Sequence, residues 1–183
     1  MDHFSDEFIM EKNLSRERVF DGIILHIDHL TNELPNGKPA KREVAMHVGA
    51  SAVLPVDSDG NVYLVRQFRA PIDQVLLEIP AGKLDHVDED RLLAAKRELK
   101  EETGLEAEKW LHLTDTFTTP GFSNERISLF LAQKLRHGES QPDEDEFLNV
   151  VKMPFDEALA MVMRGEIRDA KTQIALCMAK NLF

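Results

Sequence analysis

The chain has 183 residues, and its 33 acidic against 22 basic side chains give a formal net charge of −11 at pH 7. That length suits one domain with its own core, and the acidic balance argues against a nonspecific surface for nucleic acid or an anionic membrane. A single cysteine excludes a disulfide framework within the chain, and there is neither a signal-peptide pattern nor an apolar run of about 18 residues, so we expect a cytoplasmic protein.

The amino-terminal part is predicted to be a small antiparallel β subdomain over residues 1–47. Residues 19–30 are rich in β-branched and aromatic side chains, residues 35–38 carry a Pro-Asn-Gly turn signal, and a second extended run covers residues 41–48. This order predicts a hairpin. Because two strands alone are marginally stable in water, the hairpin needs support from the main domain or from a partner chain.

The main domain is expected over residues 48–183, with strands and helices but no regular parallel repeat. Strands are predicted at residues 50–55, 62–68, 76–79, 111–117, 127–135 and 148–153. Helices are predicted after the loop at residues 80–82, at residues 154–164 and at residues 170–182. Asp85 or Asp88 can cap the first helix, and Cys177 in the last one is expected to be a buried small hydrophobe.

Three acids of the first helix, within residues 82–105, are predicted to share one face. At about 100° per residue, Glu98, Glu101 and Glu102 fall on the same arc. Lys100 falls on the opposite side, so we expect this face to lack a counter-charge, although like charges at these spacings are destabilising. Hard oxygen ligands at this density suit Mg²⁺ or Mn²⁺, and a solvated acidic surface is the alternative.

The run Arg-Glu-Leu-Lys-Glu-Glu-Thr-Gly-Leu at residues 97–105 resembles the Nudix box when Gly82 and Glu89 upstream are included. The box is a glycine, five residues, a glutamate, seven residues and then R-E-hydrophobic-x-E-E-x-G-hydrophobic. Here six residues separate Gly82 from Glu89. Asp88 takes the position that the shorter spacing would give to the glutamate, so both acids are candidates for the first acid of the box.

Further motifs, in the right order around the box, resemble the ADP-ribose pyrophosphatase branch of the Nudix hydrolases from about Leu14 onward. They lie at residues 33–38, 42–44, 65–69, 77–83, 119–125 and 169–172. The resemblance implies an α/β (α+β) fold, the Nudix-type α/β/α sandwich with a mixed sheet, next to the amino-terminal β subdomain.

The resemblance also implies a set of metal ligands. Glu98 and Glu102 are expected to be the main side-chain ligands, and Glu101 to be a shared or bridging ligand that also takes part in catalysis. The helical spacing supports these three glutamates by itself. The carbonyl of Ala81 is a fourth ligand that only the resemblance implies.

A later acidic loop is expected to supply the general base. By its register with the strand that follows, Glu144 matches the base of this branch and Glu146 matches a further metal ligand. The two roles can be exchanged, and an acidic surface loop without a catalytic role is the alternative.

Candidate substrate contacts are spread over several motifs. Arg69 follows a strand, where a bidentate contact to phosphate can form. Arg42 and Glu43 match the family's adenosine-proximal pair, and Lys83 is expected to reach the substrate through the loop backbone. For each arginine a plain surface position is the alternative. Three phenylalanines are expected in the core rather than as stacking platforms: Phe20, Phe68 and Phe122.

These observations predict a Mg²⁺-dependent hydrolase, with Mn²⁺ as a substitute, that splits ADP-ribose into AMP and ribose 5-phosphate. GDP-mannose or another nucleotide sugar is the enzymatic alternative. A noncatalytic nucleotide-binding regulatory module on the same scaffold is the alternative from another class. The hairpin favours a homodimer, with exchange of the amino-terminal strands as one arrangement, and the resemblance implies this too.

Overall fold

The computed structural model describes residues 6–138 and 147–182. Within these ranges the strands are β1 (Lys12–Asp21), β2 (His26–Glu33), β3 (Pro39–Met46), β4 (Ala50–Pro55), β5 (Asn61–Arg69), β6 (Gln74–Glu78), β7 (Ala81–Lys83), β8 (Leu105–Phe117), β9 (Arg126–His137) and β10 (Leu148–Pro154). The helices in the same ranges are α1 (Arg91–Thr103), α2 (Phe155–Met163) and α3 (Ala170–Ala179). Every element predicted for the main domain is found, and β7 is an additional strand where the sequence predicted a loop.

The chain divides into two compact units, of which the smaller runs to His47 and takes in Phe117–Glu125. In it, β1, β2 and β3 form an antiparallel sheet in that order. The predicted two-stranded hairpin is therefore a three-stranded meander. The expected strand at residues 19–30 is interrupted by a turn in which the Gly22 N–H donates to the Leu25 carbonyl at 2.8 Å. The glycine within a β-branched run is the sequence signal for this turn.

Phe117–Glu125 is held in the smaller unit by bonds to the end of β3. The Ala45 N–H donates to the Phe122 carbonyl at 2.7 Å. The His47 N–H donates to Oδ1 of Asn124 at 2.7 Å, and Nδ2 of Asn124 donates to the His47 carbonyl at 3.3 Å. A segment far along the chain thus completes this unit, and no local sequence pattern signals the association.

The larger unit contains a mixed sheet of order β7-β4-β9-β8, in which β4 is parallel to β9 and antiparallel to β7. Side chains of β4 alternate between its two faces. Val53 packs in a cluster with Leu99 of α1, whereas Leu54 belongs to the core that includes Leu176 of α3. The sheet therefore has α1 on one face and the carboxy-terminal helices on the other, and the predicted α/β/α arrangement is confirmed.

Helix α1 has a defined cap at each end. The Asp90 side chain accepts a hydrogen bond from the Leu93 N–H at 2.9 Å, so Asp90 is the N-cap and the predicted caps Asp85 and Asp88 are wrong. The helix ends at Gly104, whose φ of 66° lies in the left-handed region that glycine adopts without strain. These two caps define the ends of the helix that carries the acidic residues.

The carboxy-terminal helix α3 buries one side of its surface. Its buried residues are Lys171, Thr172, Ala175, Leu176 and Ala179. Cys177 is exposed, so the expectation that it is buried is wrong. In the part of the chain that the structure describes, no helix combines the length and the apolar character needed to cross a membrane.

Candidate active site

The backbone of Gly82 lies against the carboxylate of Glu98 in the candidate site. Gly82 lies on β7, which pairs with β4 at Ser51, and α1 packs on the same strand. A Cβ atom on Gly82 would lie 2.2 Å from Oε1 of Glu98, far closer than any real contact. A glycine is therefore required here because its backbone leaves room for the carboxylate.

A second buried carboxylate, that of Glu102, lies one helical turn further on. Glu102 is only 2% exposed, and its Oε2 accepts a hydrogen bond from the Ala81 N–H at 3.1 Å. The structure thus brings together Ala81, Glu98 and Glu102, which the sequence assigned to one site. Both acids contact the backbone of the segment that follows β6, Glu98 at Gly82 and Glu102 at Ala81, so this segment positions both carboxylates.

Arg97 supplies the counter-charge that the sequence was expected to lack. Its Nη1 lies 2.6 Å from Oε1 of Glu98 and 3.4 Å from Oε2 of Glu101, and its Nη2 lies 3.4 Å from Oε1 of Glu89. Burial lowers the pKa of Arg97, but the charges of Glu98, Asp85, Glu101 and Glu89 outweigh this and raise it. The expectation of an acidic face without a counter-charge is wrong, because Arg97 precedes Glu101 by four residues, a helical spacing that pairs the two charges, and also contacts its neighbour Glu98.

The loop before α1 shows which acid is the first of the box. Glu89 faces Arg97, and its Oε2 also accepts the Asp85 N–H at 2.7 Å. Asp88 is exposed, as is Val87. The additional residue between Gly82 and Glu89 is therefore absorbed in an exposed turn, and Glu89 takes the inward position.

A buried ion-pair network lies at the end of β6. Arg69 donates from Nε to Oε1 of Glu78 at 2.8 Å and from Nη2 to Oε2 at 2.7 Å. Lys171 of α3 contacts the same carboxylate. Burial raises the pKa of Glu78, but the bonds from Arg69 and the charge of Lys171 outweigh burial and lower it. The bidentate pair also raises the pKa of Arg69, with a further contribution from Glu102.

A phosphate contact was predicted for Arg69, whereas no role was predicted for Glu78 or Lys171. Glu78 interrupts an apolar run, Val75-Leu76-Leu77-Glu78-Ile79, and a charge in such a strand requires a partner when it is buried. That interruption is the signal that could have found it. The partner Lys171 lies far away in the sequence, so its identity could not be read from local spacing.

The oxygen donors of this site fit a divalent cation of the magnesium type. Among the described residues, no group of three or more His, Cys, Asp or Glu side chains is assembled to hold a metal ion. Mg²⁺ is commonly bound through only one or two carboxylates, with waters and substrate phosphates completing its shell. The buried carboxylates of Glu98 and Glu102 suit a cation whose remaining ligands are waters and phosphates. Gly82 has no side chain that would fill the space beside Glu98.

The remaining predicted contacts lie in different places. Lys83 is exposed, and its carbonyl is 3.5 Å from Nη2 of Arg97. Arg42 and Glu43 belong to the smaller unit, where Arg42 pairs with Glu11 and the Glu43 side chain is 81% exposed. The predicted base and the additional ligand lie outside the described residues: Glu144 and Glu146.

Three phenylalanines that were expected in the core are exposed, and that expectation is wrong. They are Phe20, Phe68 and Phe122. Phe20 lies on β1, which is exposed along its whole length, Phe68 lies next to the end of β5, and Phe122 lies in the segment between β8 and β9.

Comparison with known proteins agrees with this arrangement. The NUDIX domain family matches residues 45–174 of the chain. The chain is 42% identical to the ADP-ribose pyrophosphatase of Bacillus subtilis (strain 168), over 91% of this chain and 90% of that protein. It is 40% identical, with the same coverage, to the methanol dehydrogenase activator of Bacillus methanolicus. It is also 38% identical to the GDP-mannose pyrophosphatase of Cronobacter sakazakii (strain ATCC BAA-894), over 74% of this chain and 75% of that protein.

The chain therefore belongs to the Nudix family and is a Nudix hydrolase. A crystal structure of an ADP compounds hydrolase has the same fold, with a TM-score of 0.82 at 23% sequence identity over 95% of each chain. The resemblance seen in the box and its flanking motifs is confirmed.

Proposed function

We propose that this protein hydrolyses the pyrophosphate bond of ADP-ribose to give AMP and ribose 5-phosphate, with Mg²⁺ as cofactor and Mn²⁺ as a substitute. The observation that carries the proposal is the pair of buried carboxylates, Glu98 and Glu102, that face the backbone at Gly82 and Ala81. The similarity to an ADP-ribose pyrophosphatase over nine tenths of the chain supports the choice of substrate.

The chain's own residues provide the binding positions for this reaction. A divalent cation bound there would neutralise the pyrophosphate oxygens and lower the pKa of a bound water. Glu98 and Glu102 are proposed as the main ligands. Glu101, which shares Arg97 with Glu98, is proposed as a shared or bridging ligand that also takes part in catalysis, and the Ala81 carbonyl as a further ligand. Arg97 restrains the acids of α1 so that their oxygens remain close together despite repulsion.

Removal of a proton from the attacking water requires a base within hydrogen-bond reach. We assign that role to Glu144 and a further ligand role to Glu146, with the exchange of the two as the alternative. pH–rate profiles of Glu144→Gln and Glu146→Gln distinguish them, because the variant that lacks the base loses the ascending limb. Retention of that limb in both variants would contradict a base on this loop.

Substrate contacts are assigned to two sets of residues. Arg69 and the backbone at Lys83 are proposed to bind the phosphates, and Arg42 and Glu43 to bind near the adenosine. The side chain of Arg69 remains 40% exposed beside its pair with Glu78, so it is partly accessible to a ligand. Substitution of Arg42 or Glu43 is expected to raise KM for ADP-ribose with little change in kcat.

GDP-mannose is the second candidate substrate, because a relative named as a GDP-mannose pyrophosphatase matches three quarters of the chain. The same pyrophosphate chemistry can serve different base pockets. Incubation with ADP-ribose, GDP-mannose and other nucleotide sugars, with Mg²⁺ or with a chelator, followed by chromatography of the products, tests the choice. Preferred turnover of GDP-mannose would overturn the ADP-ribose assignment, and binding of nucleotide sugars without turnover would favour the regulatory alternative.

We also propose that the protein acts in the reducing cytoplasm as a homodimer, with exchange of the amino-terminal strands as one arrangement. β1 is an edge strand with every residue exposed, and the turn after it presents Ile23 at 94% exposure next to Ile24. Edge strands and apolar patches of this kind favour association. Sedimentation is expected to show a dimer that Ile23→Asp weakens, and a stable active monomer would contradict the proposal.

A further inference from the structure

A polar network surrounds the end of β6, next to the segment that carries Ala81 and Gly82. Glu78 is 1% exposed and is the acceptor for both Nε and Nη2 of Arg69, at 2.8 and 2.7 Å. Lys171 contacts the same carboxylate from α3. One buried carboxylate therefore joins the end of β5 to the start of α3.

The same network also binds the backbone. Nζ of Lys171 lies 3.0 Å from Oδ1 of Asp169. Oδ2 of Asp169 accepts the Thr172 N–H at 2.9 Å, and the Thr172 hydroxyl oxygen accepts the Ile79 N–H at 2.8 Å. The peptide between Glu78 and Ile79 is thus fixed both by the side chain before it and by the amide within it.

This position matters because the site begins two residues later. The chain continues from Ile79 through Pro80 to Ala81, whose N–H binds the buried carboxylate of Glu102 at 3.1 Å. Pro80 restricts the backbone between them. Movement of Glu78 would therefore displace Arg69 on one side and the Ala81 segment on the other.

We propose that Glu78 is a positioning residue of the hydrolase: its carboxylate aims the Arg69 guanidinium at the substrate diphosphate. This inference rests on the proposed hydrolysis of a nucleotide sugar. A guanidinium that is held by two parallel bonds loses less freedom when it binds a phosphate than one that is free. The alternative is a network that only stabilises the fold, as many buried ion pairs do.

A double-mutant cycle distinguishes positioning from stabilisation. Glu78→Gln and Arg69→Lys are made singly and together, and kcat, KM and the dissociation constant of α,β-methylene ADP-ribose are measured with Mg²⁺. Each single variant is expected to lose about 10²-fold in kcat/KM, because small displacements of positioned groups have effects of that size. Since Glu78 acts through Arg69, the double variant is expected to be no more than about twofold worse than the worse single variant. Losses that multiply would overturn the proposal.

The control is Glu157→Gln, which breaks an exposed pair with Arg164 at 2.9 Å and is expected to leave the kinetics unchanged. If Glu78→Gln does not fold, Glu78→Gln with Lys171→Met replaces it, because this removes one buried charge of each sign. Wild-type kcat/KM in either folded variant would overturn the proposal.

The cycle also separates this inference from the proposed function. Failure of the wild type to hydrolyse any nucleotide sugar defeats the proposed function. The dissociation constants of the analogue in the wild type, the two single variants and the double variant then decide the role of Glu78. Losses of affinity that multiply in the double variant would overturn the proposal, and a double variant no weaker than the worse single variant would support it.

Discussion

Two acidic regions of the larger unit differ in how their charge is balanced. At the end of β6, one buried carboxylate, that of Glu78, is held by Arg69 and Lys171. On α1, one guanidinium, that of Arg97, lies within 4 Å of four carboxylates. They belong to Asp85, Glu89, Glu98 and Glu101. The first region balances its buried charge with the chain's own cations, whereas the second collects negative charge that a divalent cation can balance.

The largest expected effect is on the acid-rich region. Glu98→Gln and Glu102→Gln are each expected to lower kcat by about 10³-fold, because loss of metal-based charge stabilisation removes several kcal/mol from the transition state. The melting temperature should change little, since glutamine keeps the shape of the side chain, and relief of repulsion between neighbouring acids offsets the weaker contact to Arg97 or to the Ala81 N–H. Steady-state kinetics measures kcat, and thermal unfolding measures the melting temperature. The control is Glu166→Gln, a substitution at an exposed position. Wild-type turnover in both variants would contradict the role of the acid-rich region as the site of the divalent cation.

The second effect is steric and acts on the same region without changing any charge. Gly82→Ala places a Cβ where the Glu98 carboxylate lies and is expected to lower kcat/KM by about 10²-fold. Gly165→Ala is the matched control. Gly165 has a φ of 73° with open space around its Cβ position, so this change is expected to lower stability by about 1 kcal/mol and to leave activity unchanged. Full activity of Gly82→Ala would show that Glu98 does not need its present position.

Asp57, in the turn between β4 and β5, is another carboxylate that is paired with a cation of the chain, Lys152. This pairing predicts that the stability of the fold depends on pH. Partial burial raises the pKa of Asp57, but bonds from Lys152, Asn61 and the Asp59 N–H outweigh burial and lower it to about 2. A lowered pKa stabilises the fold above the ordinary value of 3.8, and this contribution is lost as the pH falls towards 2.

Asp57→Asn is therefore expected to lower the free energy of unfolding by about 1.5–3 kcal/mol at pH 7, the range for hydrogen bonds to a charged group. The difference from wild type should shrink between pH 4 and pH 2, as the wild-type carboxyl becomes protonated. Denaturant unfolding at several pH values measures this. A difference that stays constant over that range would contradict the assignment of the stabilisation to the ionised carboxylate.

The smallest effect concerns the helix that carries the acid-rich region. Asp90→Ala removes the N-cap of α1 and is expected to lower the free energy of unfolding by about 1 kcal/mol. Asp88→Ala, at an exposed position that the sequence offered as a cap, should change it by less than about 0.5 kcal/mol. Equal losses in the two variants would mean that the cap bond does not stabilise the helix.

Features that depend on neighbouring residues in the sequence could be predicted, and features that depend on residues far apart in the sequence could not. The strand at β4, the helix α1 and its end at Gly104 follow from local periodicity and turn chemistry. The acids of one helix face could be placed together because helical geometry fixes their spacing.

Features set by contacts between distant segments could not be predicted in the same way. Arg97 of α1 meets Asp85 and Glu89 of the preceding loop only in the folded chain, and Glu78 meets Lys171 only after α3 has packed on the sheet. The exposed Cys177 shows the same limit, because a helix without a clear apolar stripe does not reveal its buried side. The candidate site was therefore found from its carboxylates, whereas the ion pairs that Arg97 and Lys171 form with those acids and with Glu78 were not predicted.

The carboxylates of Glu98 and Glu102 are proposed to form a divalent-metal site that holds a nucleotide sugar. Titration calorimetry with Mg²⁺ or Mn²⁺, in the presence of α,β-methylene ADP-ribose, tests it directly on the wild type and on the variant that combines Glu98→Gln with Glu102→Gln. The wild type is predicted to take up the metal and the double variant to lose that uptake. No uptake by the wild type, or equal uptake by both proteins, would contradict the claim.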